Sequence, residues 1–434
     1  MNPEIKTRLA QIRAGEIPQG YKRTHTGIVP QNWEIKKMSS VLKKQTQKNR
    51  NNAIQNVLTN SATQGIVCQI DYFDKQIANN ENTDEYYVVK PGYFVYNPRI
   101  SVTAPCGPFN RYNGNEDGIM SPLYSIYCFC DKSKTYSDFL TYYFSSSKWY
   151  AYMNSIANYG ARSDRMNVTK EDMDNMPIPY PPLYEQQRIV AILSTQDRII
   201  ELCERKIEQL KRMKKYYLQK MFPKNGEEYP EIRFKGFTDA WEQRKLSEGV
   251  SEIGDGLHGT PTYCDDGNVY FINGNNLVNG RIVISEDTKK VDEEQQSIAD
   301  KSLDNNTILM SINGTIGNLA YYSGEKLMLG KSAAYIKVSE FNKKFVYIYL
   351  QTPSIQTYFM DSLTGTTIKN LGLKAIREMT MPIPQDIEEQ KQIGEFFDNL
   401  DTLITLHQRK CEEEKKKKNA LQQLLLTGIV RVKK

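Results

Sequence analysis

An internal repeat constrains the fold of this chain more than any other feature. The first copy is Met176–Pro181 (MPIPYP) followed by Glu185–Ile189 (EQQRI), and the second is Met379–Pro384 (MTMPIP) followed by Glu389–Ile393 (EQKQI). The two copies lie about 200 residues apart and keep the same order. Because repetition at a fixed spacing indicates repeated structural units, the chain is predicted to consist of two tandem halves.

Each half also begins in the same way. Trp33-Glu34 and Trp241-Glu242 are each followed, one position later, by two basic residues. Each half is therefore predicted to contain a Trp-Glu pair, a variable globular stretch, an extended segment that ends in prolines and a long helix. Proline ends an extended segment because it lacks a backbone N–H and restricts the residue before it.

Two long helices are predicted at about Glu185–Phe222 and Glu388–Leu426, because apolar residues recur in steps of three and four. Asp386, with Glu389 three residues later, has the spacing of a capping box at the start of the second helix. The predicted seam comprises Ile189, Ile192, Ile199, Cys203, Leu210 and Tyr217 in the first helix and Ile393, Phe396, Leu400, Leu403 and His407 in the second.

Helices of this length need a partner, since each would extend for roughly 57 Å with only a narrow apolar seam. We expect the two helices to pair antiparallel with each other. The alternative is two separate coiled-coil arms that dimerise. The charged run 412–418 is interpreted as a solvated face in either case.

The predicted fold class is α+β, with two globular α/β domains separated by two long antiparallel helices in a pseudo-two-fold tandem repeat. The predicted segments are an N-terminal helix (1–26), a first globular domain (27–180), a long helix (181–226), a second globular domain (227–384) and a C-terminal long helix (385–434). The N-terminal helix, with Pro3 at its first position and Gly15 after its end, is expected to pack with the C-terminal region.

Several classes of protein are excluded by the sequence. No apolar run approaches the ~20 residues that span a bilayer, and the N-terminus lacks a signal-peptide pattern, so we expect a cytoplasmic protein without membrane contact. The seven cysteines are scattered, and Cys128 and Cys130 are too close for a zinc knuckle. Only three histidines are present, at His25, His258 and His407, and we predict no metal site.

Catalytic motifs are likewise incomplete. Residues 254–259 match GxGxxG, but Thr260-Pro261 follow where a dinucleotide-binding fold needs a helix. Asn97–Ile100 is similar to the start of the Asn-Pro-Pro-aromatic loop of amino-methyltransferases, without its second proline or its aromatic residue. We therefore predict that the chain has no catalytic residues and no cofactor of its own. The excess of six positive charges permits a nucleic-acid partner without requiring one.

The duplicated Pro-x-Pro and Glu-Gln-x-x-Ile segments, each opening a long helix, and the Trp-Glu pair before each variable part resemble the specificity subunit of a type I restriction-modification enzyme. The resemblance covers essentially the whole chain. It implies two target-recognition domains, 27–180 and 227–384, that each read one half of a split, asymmetric site in double-stranded DNA. It also implies that the helices set the unread spacer and hold two methyltransferase subunits.

The same resemblance implies further partners and their cofactors. Methyltransferase subunits of this family use S-adenosylmethionine to methylate adenine, and motor-nuclease subunits use ATP and magnesium. The chain would act in the bacterial cytoplasm, at the nucleoid when bound to DNA.

The candidate DNA-contacting residues are polar and basic side chains in predicted loops, because such side chains supply most base and phosphate contacts. In the first domain they are Arg99, Arg111, Asn113, Arg162, Ser163 and Arg165; in the second they are His258, Thr260, Tyr263, Asn275, Asn276, Lys331, Lys369 and Asn370. Residues 162–165 and 369–370 occupy equivalent positions, just before each helix-entry segment.

Two other functions are consistent with parts of the sequence. A DNA methyltransferase or nuclease would need a cofactor loop and a catalytic motif, and neither is found. A non-catalytic coiled-coil scaffold with two protein-binding domains would show no DNA sequence preference.

Overall fold

The computed structural model describes residues 3–73, 83–131, 136–157, 164–224, 226–365 and 369–432. The chain divides into two compact units, of which unit 1 comprises residues 1–202 and 411–434 and unit 2 comprises residues 203–410. Each unit therefore contains one globular domain and a part of each long helix. No helix in the described part of the chain has the length and apolar character that a membrane span requires.

The helices of the described residues are α1 (Pro3–Arg13), α2 (Gln69–Phe73), α3 (Ser137–Phe144), α4 (Tyr150–Ile156), α5 (Lys170–Asn175), α6 (Leu183–Lys220), α7 (Ile298–Lys301), α8 (Lys343–Tyr349), α9 (Pro353–Asp361), α10 (Leu373–Glu378) and α11 (Ile387–Leu425). The strands of unit 1 are β1 (Tyr21–Thr24), β2 (Gly27–Pro30), β3 (Glu34–Lys37), β4 (Leu42–Gln45), β5 (Leu58–Ser61), β6 (Gly65–Cys68), β7 (Tyr87–Val89), β8 (Phe94–Tyr96), β9 (Phe109–Arg111), β10 (Gly118–Met120), β11 (Ser125–Phe129) and β12 (Pro177–Tyr180). Those of unit 2 are β13 (Glu242–Lys245), β14 (Val250–Asp255), β15 (Val269–Ile272), β16 (Leu277–Val278), β17 (Arg281–Ile282), β18 (Lys290–Val291), β19 (Thr307–Ser311), β20 (Leu319–Tyr321), β21 (Leu327–Leu329), β22 (Ala333–Val338), β23 (Leu363–Thr364), β24 (Asn370–Leu371) and β25 (Thr380–Ile383).

A four-stranded antiparallel sheet forms the centre of each globular domain, with the same strand order in both. The order is β4-β11-β8-β9 in unit 1 and β14-β22-β19-β20 in unit 2. Strands β19 and β22 are buried along their whole length, which explains their nearly continuous apolar sequence. In unit 1, Phe94, Tyr127, Phe139 and Trp149 pack together in the main core.

The repeated Trp-Glu and Pro-x-Pro motifs form a two-stranded antiparallel ribbon in each unit. Strand β3 pairs with β12, and Glu34 lies opposite Tyr180. Strand β13 pairs with β25, and Glu242 lies opposite Ile383. Proline is tolerated in β12 and β25 because each strand has only one neighbour, so the missing N–H can lie on the unpaired edge.

The glutamine of each Glu-Gln motif binds two backbone groups in the same way. Gln186 accepts a hydrogen bond from the Tyr136 backbone N–H at 2.9 Å and donates one to the Pro181 carbonyl at 2.9 Å. Gln390 accepts from the Asn342 N–H at 2.9 Å and donates to the Pro384 carbonyl at 2.9 Å. Each glutamine therefore joins the start of a long helix to the start of helix α3 or α8 and to the proline segment.

The glutamate of each motif is buried and binds an arginine. In unit 1, Glu185 accepts from the Trp33 indole Nε1 at 2.9 Å and from two nitrogens of Arg431 at 2.9 and 3.1 Å. In unit 2, Glu389 accepts from two nitrogens of Arg233 at 2.6 and 2.8 Å. Each contact joins a long helix to a chain segment that follows the other long helix.

The capping box predicted for the second long helix is replaced by this contact. Asp386 does cap the helix, because its carboxylate accepts from the Glu388 backbone N–H at 2.8 Å. The Glu389 carboxylate instead binds Arg233, whose guanidinium supplies a full positive charge and two parallel hydrogen bonds where a backbone amide would supply one bond.

The long helices span 38 and 39 residues, and their segments run antiparallel within each unit. In unit 1, Glu185 contacts Arg431, and Asp197, further along α6, contacts the earlier residue Lys418 at 2.5 Å. In unit 2, Lys214 contacts Asp401 at 2.7 Å, and the Tyr217 ring lies 5.0 Å from that of Phe396. The predicted α+β class, with two globular domains and two long antiparallel helices, is confirmed.

The buried face of these helices differs from the predicted seam at two positions. Ile189, Leu210, Ile393 and Leu400 are buried, and Ile199, Cys203, Tyr217, Phe396 and His407 are partly exposed. Ile192 and Leu403, however, are 38% and 44% exposed, and their neighbours Leu193 and Ile404 are buried instead. A run of adjacent apolar residues satisfies a step of either three or four, so periodicity alone did not identify which residue faces the core.

The two ends of the chain meet in unit 1. The Arg8 guanidinium of α1 donates to the Ile429 carbonyl, and the Tyr21 hydroxyl donates to the Gly428 carbonyl at 2.7 Å. The N-terminal helix is thus linked to the segment that follows α11.

Candidate nucleic-acid interface

A cleft of about 540 Å³ with a mixed polar and apolar lining opens on the globular domain of unit 1. It lies between the β5–β6 hairpin, the loop after β8 and the segment that precedes α5. Arg99 and Arg165 line it, together with Asn60, Asn97 and Tyr124. Guanidinium, amide and hydroxyl groups are the side chains that most often read base edges and phosphates.

A backbone bridge brings the two arginines of this cleft together. Arg99 and Arg165 are antiparallel β-bridge partners, and the contact is held by hydrogen bonds from the Met166 N–H to the Pro98 carbonyl and from the Ile100 N–H to the Asp164 carbonyl. The Arg99 side chain is 69% exposed, and its Nε lies 3.9 Å from an Asp164 carboxylate oxygen. The Nε of Arg165 is buried and has no hydrogen-bond partner within the described residues.

Three asparagines support this cleft, and the sequence did not single them out as site residues. The buried Asn60 amide donates to the Val95 carbonyl at 2.8 Å and accepts from Asn110 Nδ2 at 2.8 Å. Asn97 Nδ2 donates to the Asn60 carbonyl at 3.1 Å. Nothing in local sequence distinguishes a buried bridging asparagine from an asparagine in a surface turn.

Arg111 and Asn113 lie outside the lining of this cleft. Arg111 donates to Asn113 Oδ1 at 2.9 Å and to the Ser137 hydroxyl at 2.8 Å, and it contacts Asp138 Oδ1 at 2.5 Å. Its guanidinium is therefore held at the start of α3, where it is less available to a ligand than the guanidinium of Arg99. The candidates Arg162 and Ser163 fall outside the described residues.

Unit 2 contains the corresponding backbone bridge. Asn313 and Asn370 are antiparallel β-bridge partners, and the Leu371 N–H donates to the Ile312 carbonyl at 2.9 Å. In each unit the bridge joins the loop after an inner strand of the four-stranded sheet, β8 or β19, to a segment before a short helix, α5 or α10. Asn313 was not among the predicted site residues.

Further contacts bring other candidates of unit 2 to the same bridge. Asn313 Nδ2 donates to the carbonyl of the exposed Lys331 at 3.3 Å. The Ser332 hydroxyl donates to Asn273 Oδ1 at 2.7 Å and accepts from the Gly274 N–H at 2.9 Å, which holds the turn that carries the exposed Asn275. Asn276 Nδ2 donates to the Val283 carbonyl, so this side chain stabilises the turn itself.

The loop after β14 lies beside Lys331, because Leu257 forms a parallel β-bridge with Gly330. The loop carries three candidates, His258, Thr260 and Tyr263, and all three are exposed. His258 Nε2 lies 2.8 Å from Asp255 Oδ2. Together with the exposed Lys369, these residues complete a polar and basic surface on unit 2.

A buried lysine anchors the strand that leads into this loop. Glu252 of β14 accepts hydrogen bonds from Lys337 Nζ at 2.7 Å and from the Tyr335 hydroxyl at 2.6 Å. The bond from Lys337, with that from Tyr335, lowers the pKa of the Glu252 carboxyl. Burial and the same carboxylate raise the pKa of Tyr335.

Across the described ranges no group of three or more His, Cys, Asp and Glu side chains is arranged to hold a metal ion. The two surfaces consist instead of hydrogen-bonding and cationic groups in loops that a rigid sheet supports. Such surfaces are suited to binding an extended, polar, anionic ligand.

The chain is similar to known proteins along nearly its full length. The model of the type I restriction modification DNA specificity domain matches residues 30–212 and 238–415. The putative type I restriction enzyme MjaX specificity subunit of Methanocaldococcus jannaschii is 24% identical over 96% of this chain and 97% of its own length.

Two solved structures share the fold. A chain from a study of complex assembly and conformational transition of the type I R-M system aligns over 93% of this chain and 99% of its own length, with 15% identity and a TM-score of 0.56. The S subunit of a type I restriction-modification system from M. genitalium aligns over 93% of this chain and 97% of its own length, with 15% identity and a TM-score of 0.50.

The family match extends over both halves of the repeat, so a scaffold with unrelated protein-binding domains is not favoured. The chain belongs to the type I restriction-modification DNA specificity family and is the non-catalytic, DNA sequence-recognition subunit of such a system.

Proposed function

We propose that each globular domain reads one half of a bipartite DNA site. The observation that carries this proposal is the repeated β-bridge, Arg99–Arg165 in unit 1 and Asn313–Asn370 in unit 2, each within a polar loop cluster. Two such clusters in one chain suit two separate contacts with double-stranded DNA. The target-recognition domains are proposed to be residues 27–180 and 227–384.

The long helices are proposed to set the unread spacer between the two half-sites. Helix α6 is continuous for 38 residues and α11 for 39, and neither contains a proline after its first turn. Such helices resist bending, so their length limits how far apart two bound segments can lie. Inserting four residues near Arg205, about one helical turn, should lengthen the spacer in the methylated motif. An unchanged spacer would contradict this model.

We further propose that the helices bind methyltransferase subunits. In unit 2, Met213 and Tyr216 of α6 and Leu403 and Leu406 of α11 are exposed, and the members of each pair lie three residues apart, on one face of their helix. In unit 1, an open groove of about 540 Å³ includes Ala191, Ile192 and Val432. Exposed apolar residues on a helix support a role in binding another protein.

The cofactors are proposed to belong to the partner subunits. S-adenosylmethionine would be bound by two methyltransferase subunits, and ATP and magnesium by motor-nuclease subunits. The complex is proposed to act in the bacterial cytoplasm, at the nucleoid.

Co-purification with candidate methyltransferase subunits, followed by mapping of adenine methylation, tests this function. Methylation is expected at a split, asymmetric motif, and exchanging residues 27–180 for those of a relative should change one half of that motif. Methylation without sequence preference, or no methylation with any candidate subunit, would refute the proposal.

A simpler test addresses the two arginines predicted to contact DNA just before α5, of which Arg165 lines the cleft and Arg162 lies outside the described residues. Replacing Arg162 and Arg165 by alanine should weaken DNA binding by the complex, because two guanidinium groups that can bind bases or phosphates are removed. Unchanged affinity with an unchanged dependence on salt would remove both residues from the interface.

A further inference from the structure

The equivalent β-bridges of the two units carry different side chains. We propose that these bridge positions determine specificity, with Arg99 and Arg165 reading a guanine in the half-site of the first domain and Asn313 and Asn370 reading an adenine in that of the second. This inference rests on the proposed function, since it assumes that each domain reads one half-site.

The equivalence of the two bridges follows from the backbone. In unit 1 the Met166 N–H donates to the Pro98 carbonyl, and in unit 2 the Leu371 N–H donates to the Ile312 carbonyl at the same place relative to the bridge. Each bridge follows the third strand of its four-stranded sheet, β8 in unit 1 and β19 in unit 2. The backbone is therefore shared, and the side chains are what differ.

The chemistry of these side chains matches different bases. An arginine guanidinium donates two hydrogen bonds to O6 and N7 of guanine, whereas an asparagine amide both donates and accepts, which matches N7 and N6 of adenine. No backbone change is needed to exchange one side chain for the other. A position with a constant backbone and a variable side chain is well suited to altering sequence preference without altering the fold.

The arginines of unit 1 are available to a ligand. Arg99 is 69% exposed, and its contact with the half-exposed Asp164 is 3.9 Å long, so this ion pair holds the side chain weakly. Arg165 lines the same cleft, and its buried Nε has no hydrogen-bond partner among the described residues. A buried N–H without a partner costs free energy until a ligand atom accepts from it. Arg111, by contrast, already binds three side chains.

In unit 2 each of the two asparagines has a lysine as a neighbour. Both are partly exposed, and the Asn313 amide is held by one hydrogen bond of 3.3 Å to the Lys331 carbonyl. The exposed Lys369 precedes Asn370 in the chain, and the exposed Lys331 is linked to Asn313 through its backbone carbonyl. Both lysines suit contacts with phosphates, which contribute affinity without base preference. The two amides, which both donate and accept hydrogen bonds, can then discriminate between bases.

The test uses the full chain in complex with its methyltransferase subunits. After the wild-type motif has been mapped by adenine methylation, binding is measured with duplexes in which each base pair of both half-sites is changed in turn. Arg165→Ala should reduce discrimination at one G·C pair of one half-site by roughly 5- to 160-fold, the range expected for loss of one bidentate base contact. Asn370→Ala should reduce discrimination by a similar factor at one A·T pair of the other half-site.

Arg165→Lys separates base reading from charge. It keeps the cation but not the planar pair of donors, so affinity should be largely retained while discrimination at the G·C pair is reduced. The unaffected half-site serves as an internal control for folding in every variant. Lys90→Ala and Asn305→Ala, at exposed positions away from the bridges, should leave discrimination unchanged.

Two results would overturn the proposal. One is that Arg165→Ala and Arg99→Ala bind all duplexes more weakly by the same factor and that their binding depends less on salt. This result would identify these arginines as phosphate contacts. The other is retained discrimination in Arg165→Ala and Asn370→Ala. A wild-type complex without any sequence preference would instead refute the proposed function itself.

Discussion

The buried ion pair between Arg233 and Glu389 should be essential to the stability of unit 2. The side chains are 14% and 1% exposed, and the guanidinium makes two hydrogen bonds of 2.6 and 2.8 Å to the carboxylate. Replacing Glu389 by glutamine keeps the shape but removes the negative charge. The Arg233 cation then remains buried without a counter-charge.

The expected cost can be worked out in two ways. Two charge-assisted hydrogen bonds contribute about 1.5 to 3 kcal/mol each, or roughly 3 to 6 kcal/mol in total. Removal of one member of a buried ion pair typically costs about 3 to 5 kcal/mol, because the remaining charge is desolvated. We therefore expect Glu389→Gln to lower the free energy of unfolding of unit 2 by about 3 to 5 kcal/mol.

Native-state hydrogen exchange is the appropriate assay, since a chain with two units need not unfold in one step. The reporter is the Asn342 backbone amide, which binds Gln390 next to the substituted residue. Glu388→Gln is the matched control, because Glu388 is 54% exposed and pairs with Lys391 only at 3.6 Å. The control should change stability by less than about 0.5 kcal/mol.

The reasoning would be refuted if Glu389→Gln cost less than about 1 kcal/mol. A double variant, Arg233→Met with Glu389→Leu, tests the cause. If the cost comes from an unpaired buried charge, the double variant should recover most of the stability lost by the single substitution, since apolar replacements of a buried pair are often close to neutral. A double variant as unstable as Glu389→Gln would indicate loss of packing instead.

Three other perturbations test separate parts of the fold. Gly428→Ala should lower the free energy of unfolding of unit 1, measured by chemical denaturation, by about 2 kcal/mol more than Gly15→Ala. Both glycines have positive φ, but a Cβ at Gly428 would lie 2.4 Å from Pro30 Cγ, whereas one at Gly15 meets nothing within 4 Å. Equal costs for the two variants would contradict this contact. Gln186→Leu leaves the Tyr136 N–H and the Pro181 carbonyl without this partner, and should lower the free energy of unfolding by about 1 to 3 kcal/mol for each group. Hydrogen exchange at the Tyr136 amide should become faster. Unaltered exchange there would be inconsistent with the bridging role. Glu252→Gln should lower stability at pH 7: the pKa of Glu252 is lowered in the folded state, so its contribution is present above the ordinary carboxyl pKa of about 4.5 and is lost as pH falls below it. Denaturation midpoints of the wild type and Glu252→Gln should therefore converge as pH falls from 4.5 through the lowered pKa of Glu252. A difference that stays constant as pH falls below 4.5 would rule out this linkage.

The sequence by itself determined the repeat, the two long helices and the absence of a recognisable catalytic motif. These features are local: apolar residues in steps of three and four indicate a helix wherever they occur, and proline limits an extended segment through its own ring. The predicted helices, Glu185–Phe222 and Glu388–Leu426, differ from α6 and α11 by one or two residues at each end. The resemblance to type I specificity subunits rested on the same short motifs, and the family match supports it.

Only the tertiary structure decided what those motifs do. Gln186 binds a backbone amide 50 residues away, and Glu185 binds Arg431, which is 246 residues away, so neither partner could be inferred from neighbouring residues. The pairing of Arg99 with Arg165 and of Asn313 with Asn370 likewise depends on sheet packing between distant segments. The choice of Leu193 over Ile192 for the buried face had the same cause. Helix periodicity is a property of adjacent residues, whereas burial and pairing depend on what the rest of the chain places opposite them.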